Sequence, residues 1–272
     1  MTFATLDAYK DAISSAVVLP ITVGSLATVA GRTYDTWTTA PPVGTAPTTT
    51  PSNPTSATAG ALGPFQNAGS GLDWRVVSAR FSSLSPGCYI VCDRHGHMGG
   101  LSATTAGSAQ TVAVAASSRN STGVGCWIAL TIYTQIGTTA TTVSAVYDDS
   151  SATSSTTPTV VFGGTGFREA GRTILLPFDP ASTAGGVSYV TNVTVTATTG
   201  TAGNFGLSII QPLFAILVAD TSGVASAAGF ISGSSCGGIP AIADDACLFA
   251  MSISTSTNSI GAGALLISET AE

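Results

Sequence analysis

Four residues of metal-binding type lie within ten positions of one another in the segment GCYIVCDRHGHMGG. They are Cys88, Cys92, His95 and His97, and two thiolates with two imidazoles can hold zinc in a tetrahedral site. The spacing argues against a single site, because Cys88 and Cys92 would share one face of a strand with their sulfurs about 13 Å apart. We therefore expect no metal ligand here, and interpret the segment as core cysteines followed by a turn that carries surface histidines.

Two other patterns bear on catalysis and cofactor binding. Residues 233–237 read GSSCG and match G-x-S-x-G, in which Ser235 would be the nucleophile of a hydrolase. In hydrolases of that fold the acid and the histidine follow the serine, whereas both histidines of this chain precede it. The glycine run at residues 163–171 is not a dinucleotide-binding pattern, because its third glycine is misplaced. The sequence therefore predicts no catalytic or cofactor-binding residue, and a protein that is not an enzyme.

Two pairs of adjacent acids are candidates for calcium, which takes carboxylate and carbonyl oxygens. They are Asp148 with Asp149, and Asp244 with Asp245. Paired acids in loops are more often simply solvated, and we expect that here.

Charged residues are scarce along the whole chain. They make up 8% of 272 residues, against roughly 25% in typical soluble domains, and the net charge is −6. No basic stretch could neutralise a row of phosphates, so we expect no nucleic-acid partner. The densest group is Arg168, Glu169 and Arg172, which we expect to form salt bridges within the domain or across a subunit contact. So few charges give little repulsion between copies, which favours a surface covered by other subunits.

Neither a membrane segment nor an export signal is predicted. The mean hydropathy is +0.42, but the longest apolar run, residues 212–219, is far shorter than the roughly 18–20 residues that a spanning helix requires. The N-terminal residues include Asp7, Lys10 and Asp11 where a signal peptide needs a basic and then an apolar segment. We therefore expect a chain made and kept in a reducing cytoplasm, with its five cysteines as buried thiols. These are Cys88, Cys92, Cys126, Cys236 and Cys247.

The first 72 residues are predicted to form an arm. Residues 5–18 fit an amphipathic helix ended by Pro20, and strands are predicted at 21–29 and 33–39. Residues 40–71 are rich in Pro, Thr, Gly and Ser and carry no formal charge, which is typical of an extended tether. Such a tether would lie along a neighbouring chain in an assembly.

Residues 73–272 are predicted to form one antiparallel β-sandwich or jelly-roll domain, which makes the fold class all-β. Hydrophobic alternation with a period of two marks its strands, as where Val193 and Val195 alternate with Thr194 and Thr196. No helical pattern separates these strands, which favours a sandwich. Strands are predicted at residues 74–81, 88–93, 126–136, 141–147, 157–162, 173–178, 189–197, 205–210, 213–218, 248–253 and 264–267.

Five segments resemble a family of tailed-bacteriophage virion proteins. They read CDRHGHMGGLSATTAGSAQTV (92–112), WIALTIYTQIGTTATTVSAVY (127–147), GGTGFREAGR (163–172), VTNVTVTATTGTAGNFGLSIIQPL (190–213) and AGRTYDTWTTAPPVGTAPTT (30–49). The resemblance covers roughly residues 25–213, and the loop PASTAGGV carries less charge than usual in the family. The resemblance implies a structural protein of the virion, capsid-associated and of the decoration or cement type. Its partners would be the major capsid protein and copies of itself, as a homotrimer on the capsid exterior assembled in the host bacterial cytoplasm.

Two alternatives remain open at this point. In the first, the β-sandwich is a glycan-binding module of the phage head or tail, with exposed Trp37 and Trp74 stacking on sugars; packing in the arm or core is the competing interpretation for both. In the second, the chain is the shell-forming capsid protein itself, with a jelly-roll body and a swapped arm.

Overall fold

The computed structural model describes residues 6–27, 30–35, 48–69, 72–83, 86–182, 184–218, 241–255 and 258–271. Within these residues the chain forms one α-helix, one short 3₁₀ turn and antiparallel strands, so the prediction of an all-β sandwich with an N-terminal helix is confirmed. No helix in these ranges is long and apolar enough to span a membrane. The elements are α1 (Leu6–Ser14), β1 (Val17–Ala27), β2 (Thr33–Asp35), β3 (Leu72–Ser83), β4 (Gly87–Ser102), β5 (Ala109–Ala115), the 3₁₀ turn (Ser118–Asn120), β6 (Trp127–Ile132), β7 (Ala140–Asp149), β8 (Ser154–Thr156), β9 (Val160–Gly163), β10 (Thr173–Leu176), β11 (Val187–Val195), β12 (Asn204–Val218), β13 (Ala241–Ile242), β14 (Leu248–Ser254) and β15 (Asn258–Ala271).

The strands form three sheets. The central one has the order β10-β6-β12-β4-β14-β2, and its two outer strands meet where Tyr34 and Arg172 form an antiparallel bridge. The Asp35 amide also donates to the Gly171 carbonyl at 2.9 Å. The six strands therefore close into a barrel. Sheet 1, β1-β15-β3-β13, and sheet 2, β5-β11-β7-β8 with β9 paired to β7, are the other two.

Alternation along the barrel strands separates an inner from an outer face. On β12, Leu207 and Ile209 join a large apolar core with β11 of sheet 2, whereas Ile210 belongs to a small cluster with Cys92 and Phe249. The small cluster lies inside the barrel. The two large cores lie outside it, one shared with sheet 2 and the other with sheet 1.

The long barrel strands are shared by the two outer cores. β12 contributes Phe205 to the core under sheet 2 and Phe214 to the core under sheet 1. The sequence pattern predicts two strands in this region, at 205–210 and 213–218, on either side of Pro212. A register shift between Pro212 and Phe214 accommodates the proline at a bulge, where a central strand tolerates it. The two predicted strands are therefore one.

The N-terminal helix is shorter than predicted, and it ends before Pro20. Pro20 instead lies within β1 and faces Ala264 of β15. β1 is an outer strand of sheet 1, a position where a missing N–H group is tolerated. The prediction that Pro20 ends the helix is therefore wrong.

The predicted tether does not extend away from the body over residues 48–69. Ser52 pairs with His97 through two backbone hydrogen bonds of 2.9 Å, the Leu62 amide donates to the Leu248 carbonyl, and Phe65 is buried. Residues 48–69 therefore contact the rest of the chain at several points, which their polar composition did not indicate. Residues 36–47 lie outside the described residues, and the tether stays a prediction. β1, β2 and residues 48–69 all pack on the rest of the chain, so the contacts mark no boundary at residue 72. The division into domains there stays a prediction.

Candidate functional site

The interior of the barrel holds a buried ion pair. Arg94 on β4 donates through Nη2 to the carboxylate of Asp35 on β2, and through Nη1 to Ser208 Oγ at 3.2 Å. Its guanidinium carbon lies 4.1 Å from the centre of the Phe249 ring. Asp35 also accepts a hydrogen bond from Thr131 Oγ1 at 3.4 Å. Side chains from four strands other than β4 thus meet at this ion pair, three of them on Arg94 itself and Thr131 on Asp35.

Electrostatics keep this arginine charged. Burial acts to lower the pKa of Arg94, but the adjacent Asp35 carboxylate outweighs it and the pKa is raised. Burial raises the pKa of the neighbouring Tyr133 hydroxyl and, to about 12, that of the Cys247 thiol. The Arg94 guanidinium therefore stays charged beside the Asp35 carboxylate, while burial keeps the Tyr133 hydroxyl and the Cys247 thiol protonated.

A serine and a histidine also meet inside the barrel. Ser208 Oγ lies 2.8 Å from His97 Nδ1, and since Ser208 accepts from Arg94, its own proton is available for that nitrogen. Sequence reasoning found no such nucleophile–base pair, because 111 positions separate the two residues. Both are about 2% exposed, so substrate has no access to them in this conformation.

A second polar cluster lies around Asp93, the residue of β4 that precedes Arg94. Arg119 binds both oxygens of Asp93, at 3.0 and 2.9 Å, and its Nη2 also donates to the Pro54 carbonyl. The Cys247 amide donates to Asp93 Oδ1 at 2.8 Å. One carboxylate therefore ties the 3₁₀ turn, β4 and the loop before β14 together, and through Arg119 the segment 48–69 as well.

His95 belongs to this second cluster. Its Nε2 lies 3.0 Å from Gln211 Oε1, which can only accept, and its Nδ1 lies 2.8 Å from Ser117 Oγ. The arrangement assigns the proton of a neutral imidazole to Nε2. Burial lowers the pKa of His95, and it lowers that of His97 further.

The four residues considered for zinc occupy one strand. Cys88 and Cys92 share the inward-facing parity of β4, as predicted. The prediction of a turn with surface histidines is wrong, because β4 continues to Ser102 and both His95 and His97 are buried. Among the described residues no group of three or more His, Cys, Asp or Glu side chains could hold a metal ion.

The acid pairs make local hydrogen bonds. Asp149 accepts from the amides of Ser151 and Thr153, at 2.8 and 3.0 Å, and from Ser182 Oγ at 2.9 Å. Asp244 accepts from the Ala68 amide at 2.8 Å. Asp149 thus shapes the turn between β7 and β8, and its oxygens face N–H and O–H donors rather than a cation.

The remaining predicted residues divide between the interior and the region that is not described. Trp74 is buried against Phe65 and donates through Nε1 to the Gln66 carbonyl at 2.8 Å, so it is not available for stacking on a sugar. Glu169 lies 3.6 Å from Arg32, so one member of the predicted charge group forms a salt bridge within the chain, with a residue of the predicted arm. Trp37, Ser235 and Cys236 lie outside the described residues, and the described cysteines are free thiols.

Two surface features contain no charge. A hollow of about 320 Å³ is lined by Trp127 and residues 175–178, beside the end of β10. The outer strand β1 carries the second feature: Val17 and Val18 are 37% and 58% exposed, and Ile13 of the preceding helix α1 is 39% exposed. Large exposed apolar side chains on an outer strand are typical of a surface that another polypeptide covers.

Sequence reasoning missed the Arg94–Asp35 pair entirely. A usable signal was present, because adjacent Asp93 and Arg94 interrupt an apolar strand in a chain where charge is rare.

No protein-family model, curated protein or solved structure matches this chain.

Proposed function

We propose that the chain is a structural component of a tailed-phage virion, a head decoration or cement protein that bridges neighbouring capsomers as a homotrimer. The virion assignment is supported by the sequence resemblance. The mode of action is supported by the geometry of sheet 1, which presents an outer strand to a partner.

The observation that carries the proposal is the outer strand β1, whose exposed part we call the β1 surface. Val17 and Val18 expose apolar side chains there, on opposite faces of the strand, and Ile13 of the preceding helix α1 is exposed as well. From residue 17 to residue 27 the strand has no charged residue, and charges are the usual protection of a free strand edge. Most internal charges, by contrast, tie the chain's own segments together. A rigid body with an uncharged edge is suited to adding contact area between capsid subunits.

Binding to heads tests the proposal. Purified chain is mixed with expanded heads that were produced without it, and the amount that sediments with them is measured. Val18→Asp should abolish sedimentation, because it places a charge on the β1 surface. Val161→Asp is the matched control, since Val161 is 46% exposed on β9 of sheet 2, and it should bind like the unmodified chain.

Equal binding of the two variants contradicts the role of the β1 surface, and no binding of the unmodified chain contradicts a decoration function. Copy number in the purified particle separates decoration from the shell-forming alternative, because a shell protein is present at the copy number of the lattice itself.

A further inference from the structure

Two arginines lie together on the outer wall of the barrel, where β2 meets β10. Arg32 precedes β2, and Arg172 precedes β10 beside the bridge to Tyr34. We call Arg32 and Arg172 the seam arginines. Neither takes part in the ion pair inside the barrel.

Their guanidinium groups both lie over the ring of one aromatic residue. The distances from Arg32 Cζ and Arg172 Cζ to the centre of the Phe167 ring are 5.1 and 5.3 Å, and Arg172 Cζ also lies 5.8 Å from the Tyr34 ring. Stacking occupies the faces of a guanidinium group and leaves its N–H edge for other partners. Arg172 uses part of that edge, donating from Nη1 to the Thr33 carbonyl at 3.3 Å.

One donor on these edges is buried and unused. Arg172 Nε has no hydrogen-bond partner among the described residues. Arg32 Nη1 also makes no hydrogen bond, and its salt-bridge partner, Glu169 Oε1, lies 3.6 Å away. Burying an N–H group without an acceptor is costly, more so when it carries charge. The unused Nε of Arg172, beside a second arginine whose ion pair is long, indicates that an acceptor belongs there.

The local charge leads to the same conclusion. Arg32, Arg168 and Arg172 are accompanied by one acid, Glu169, which lies 3.6 Å from Arg32, and no carboxylate of the described residues forms an ion pair with Arg172. Burial and the nearby Arg32 lower the pKa of Arg172 to about 10, although Tyr34 and Glu169 act in the opposite direction. Three arginines with one glutamate leave this region with an excess of positive charge, although the chain as a whole has a net charge of −6.

The fold leaves an approach from the side of Arg32. Arg172 is 7% exposed, whereas the side chain of Arg32 is 25% exposed. A Cβ at Gly166 would stand 2.5 Å from Arg32 Nη2, so the glycine lets the guanidinium group lie against the backbone. The loop is thus built around the position of this arginine.

We propose that the seam arginines form a binding site for an oxyanion, either a carboxylate or a phosphate group. Guanidinium edges bind both groups with paired hydrogen bonds. The anion is supplied by a free small ion or by an acidic side chain of a neighbouring subunit. The site is independent of the β1 surface and of the decoration function.

Calorimetric titration of the full chain with inorganic phosphate and with acetate tests the site, against chloride at matched ionic strength. At least one oxyanion should bind, and the preferred one identifies the anion class. Arg172→Gln and Arg32→Gln should each raise the dissociation constant by about tenfold or more. Arg80→Gln, at an exposed arginine of β3, should leave it unchanged.

A variant that is expected to tighten binding keeps the test informative if Arg172→Gln does not fold. Glu169→Gln removes the carboxylate that competes for Arg32, and it should tighten oxyanion binding. The proposal is overturned if neither oxyanion binds the unmodified chain beyond the chloride control. It is equally overturned if binding is the same in Arg32→Gln, Glu169→Gln and Arg80→Gln.

Discussion

The guanidinium group of Arg94 and the carboxylate of Asp35 form an ion pair across the interior of the barrel, although 59 positions separate them. The pair joins β4 to β2, the short strand that completes the barrel at the Tyr34–Arg172 bridge. A buried pair of this kind contributes little net stability by comparison with apolar packing, but loss of one partner leaves an uncompensated charge.

Breaking the pair should therefore be far more damaging than replacing it. Arg94→Met and Asp35→Leu should each lower the free energy of unfolding by about 3–5 kcal/mol, whereas the double variant should recover most of that loss. Arg80→Met, at an exposed position, should change it by less than about 0.5 kcal/mol. Chemical denaturation measures all four, and additive effects of the two single changes would contradict a direct pair.

The buried histidines should make the fold less stable as the pH falls. The pKa values of His95 and His97 lie below the ordinary 6.5, so below about pH 6.5 the unfolded chain binds protons that the folded chain does not. The free energy of unfolding should fall from that pH down to the folded pKa values, with a slope of up to about 1.4 kcal/mol per pH unit for each histidine. His97→Asn, which keeps an acceptor near Ser208, should flatten the profile measured from about pH 8 to about pH 5. An unchanged profile would show that His97 titrates normally.

Asp149 should be required for the turn between β7 and β8, and calcium should not. Hydrogen bonds from the Thr153 and Ser151 amides lower the pKa of Asp149 below 3.8, so its contribution is present above pH 3.8 and is lost as the pH falls through the lowered value. Asp149→Ala should speed hydrogen exchange at those two amides, with Asp148→Asn as the control. A rise in melting temperature on adding calcium would contradict the assignment.

Any side chain at Gly96 should destabilise the fold, because neighbouring atoms of β5 leave no room for a Cβ. A Cβ there would stand 2.5 Å from both the Ala115 carbonyl oxygen and Val114 Cγ1, so β5 would have to move. Gly96→Ala should lower the free energy of unfolding by about 1–3 kcal/mol. Gly185→Ala, with no atom within 4 Å of its Cβ, is the control, and equal effects in denaturation experiments would refute the crowding.

Truncation should separate the helix from the strands that follow it. Deleting residues 1–16 removes α1 and should leave a cooperatively folding chain. Deleting residues 1–35 removes β1, β2 and Asp35, and it should abolish cooperative thermal unfolding, because Arg94 loses its carboxylate. A second truncation that melts like the first would instead support the arm predicted from the sequence.

The strand pattern was predictable wherever one face of a strand is buried and the other is not. Val193 and Val195 are fully buried while Thr196 is exposed, as their alternation predicts. The pattern failed on β4, where both faces are covered after Asp93 and a histidine–glycine sequence looks like a turn. Local sequence carries no information on what covers the second face.

The polar clusters were beyond sequence reasoning for the same physical reason. Arg94 meets Asp35, and His95 meets Gln211 at a separation of 116 positions. Only the order of strands around the barrel decides which polar groups become partners. Clustering of Arg168, Glu169 and Arg172 predicted salt bridges, and among the described residues Glu169 alone of the three forms one, with Arg32.

The pairing of β1 with β15 places a constraint on synthesis. Val17 faces Ile267, so β1 waits until β15 has followed it out of the ribosome before the two strands can pair. Contacts this distant in sequence are slow to close. Until then, the edge of β1 that faces β15 in the folded chain is open to pairing with the same strand of another nascent chain.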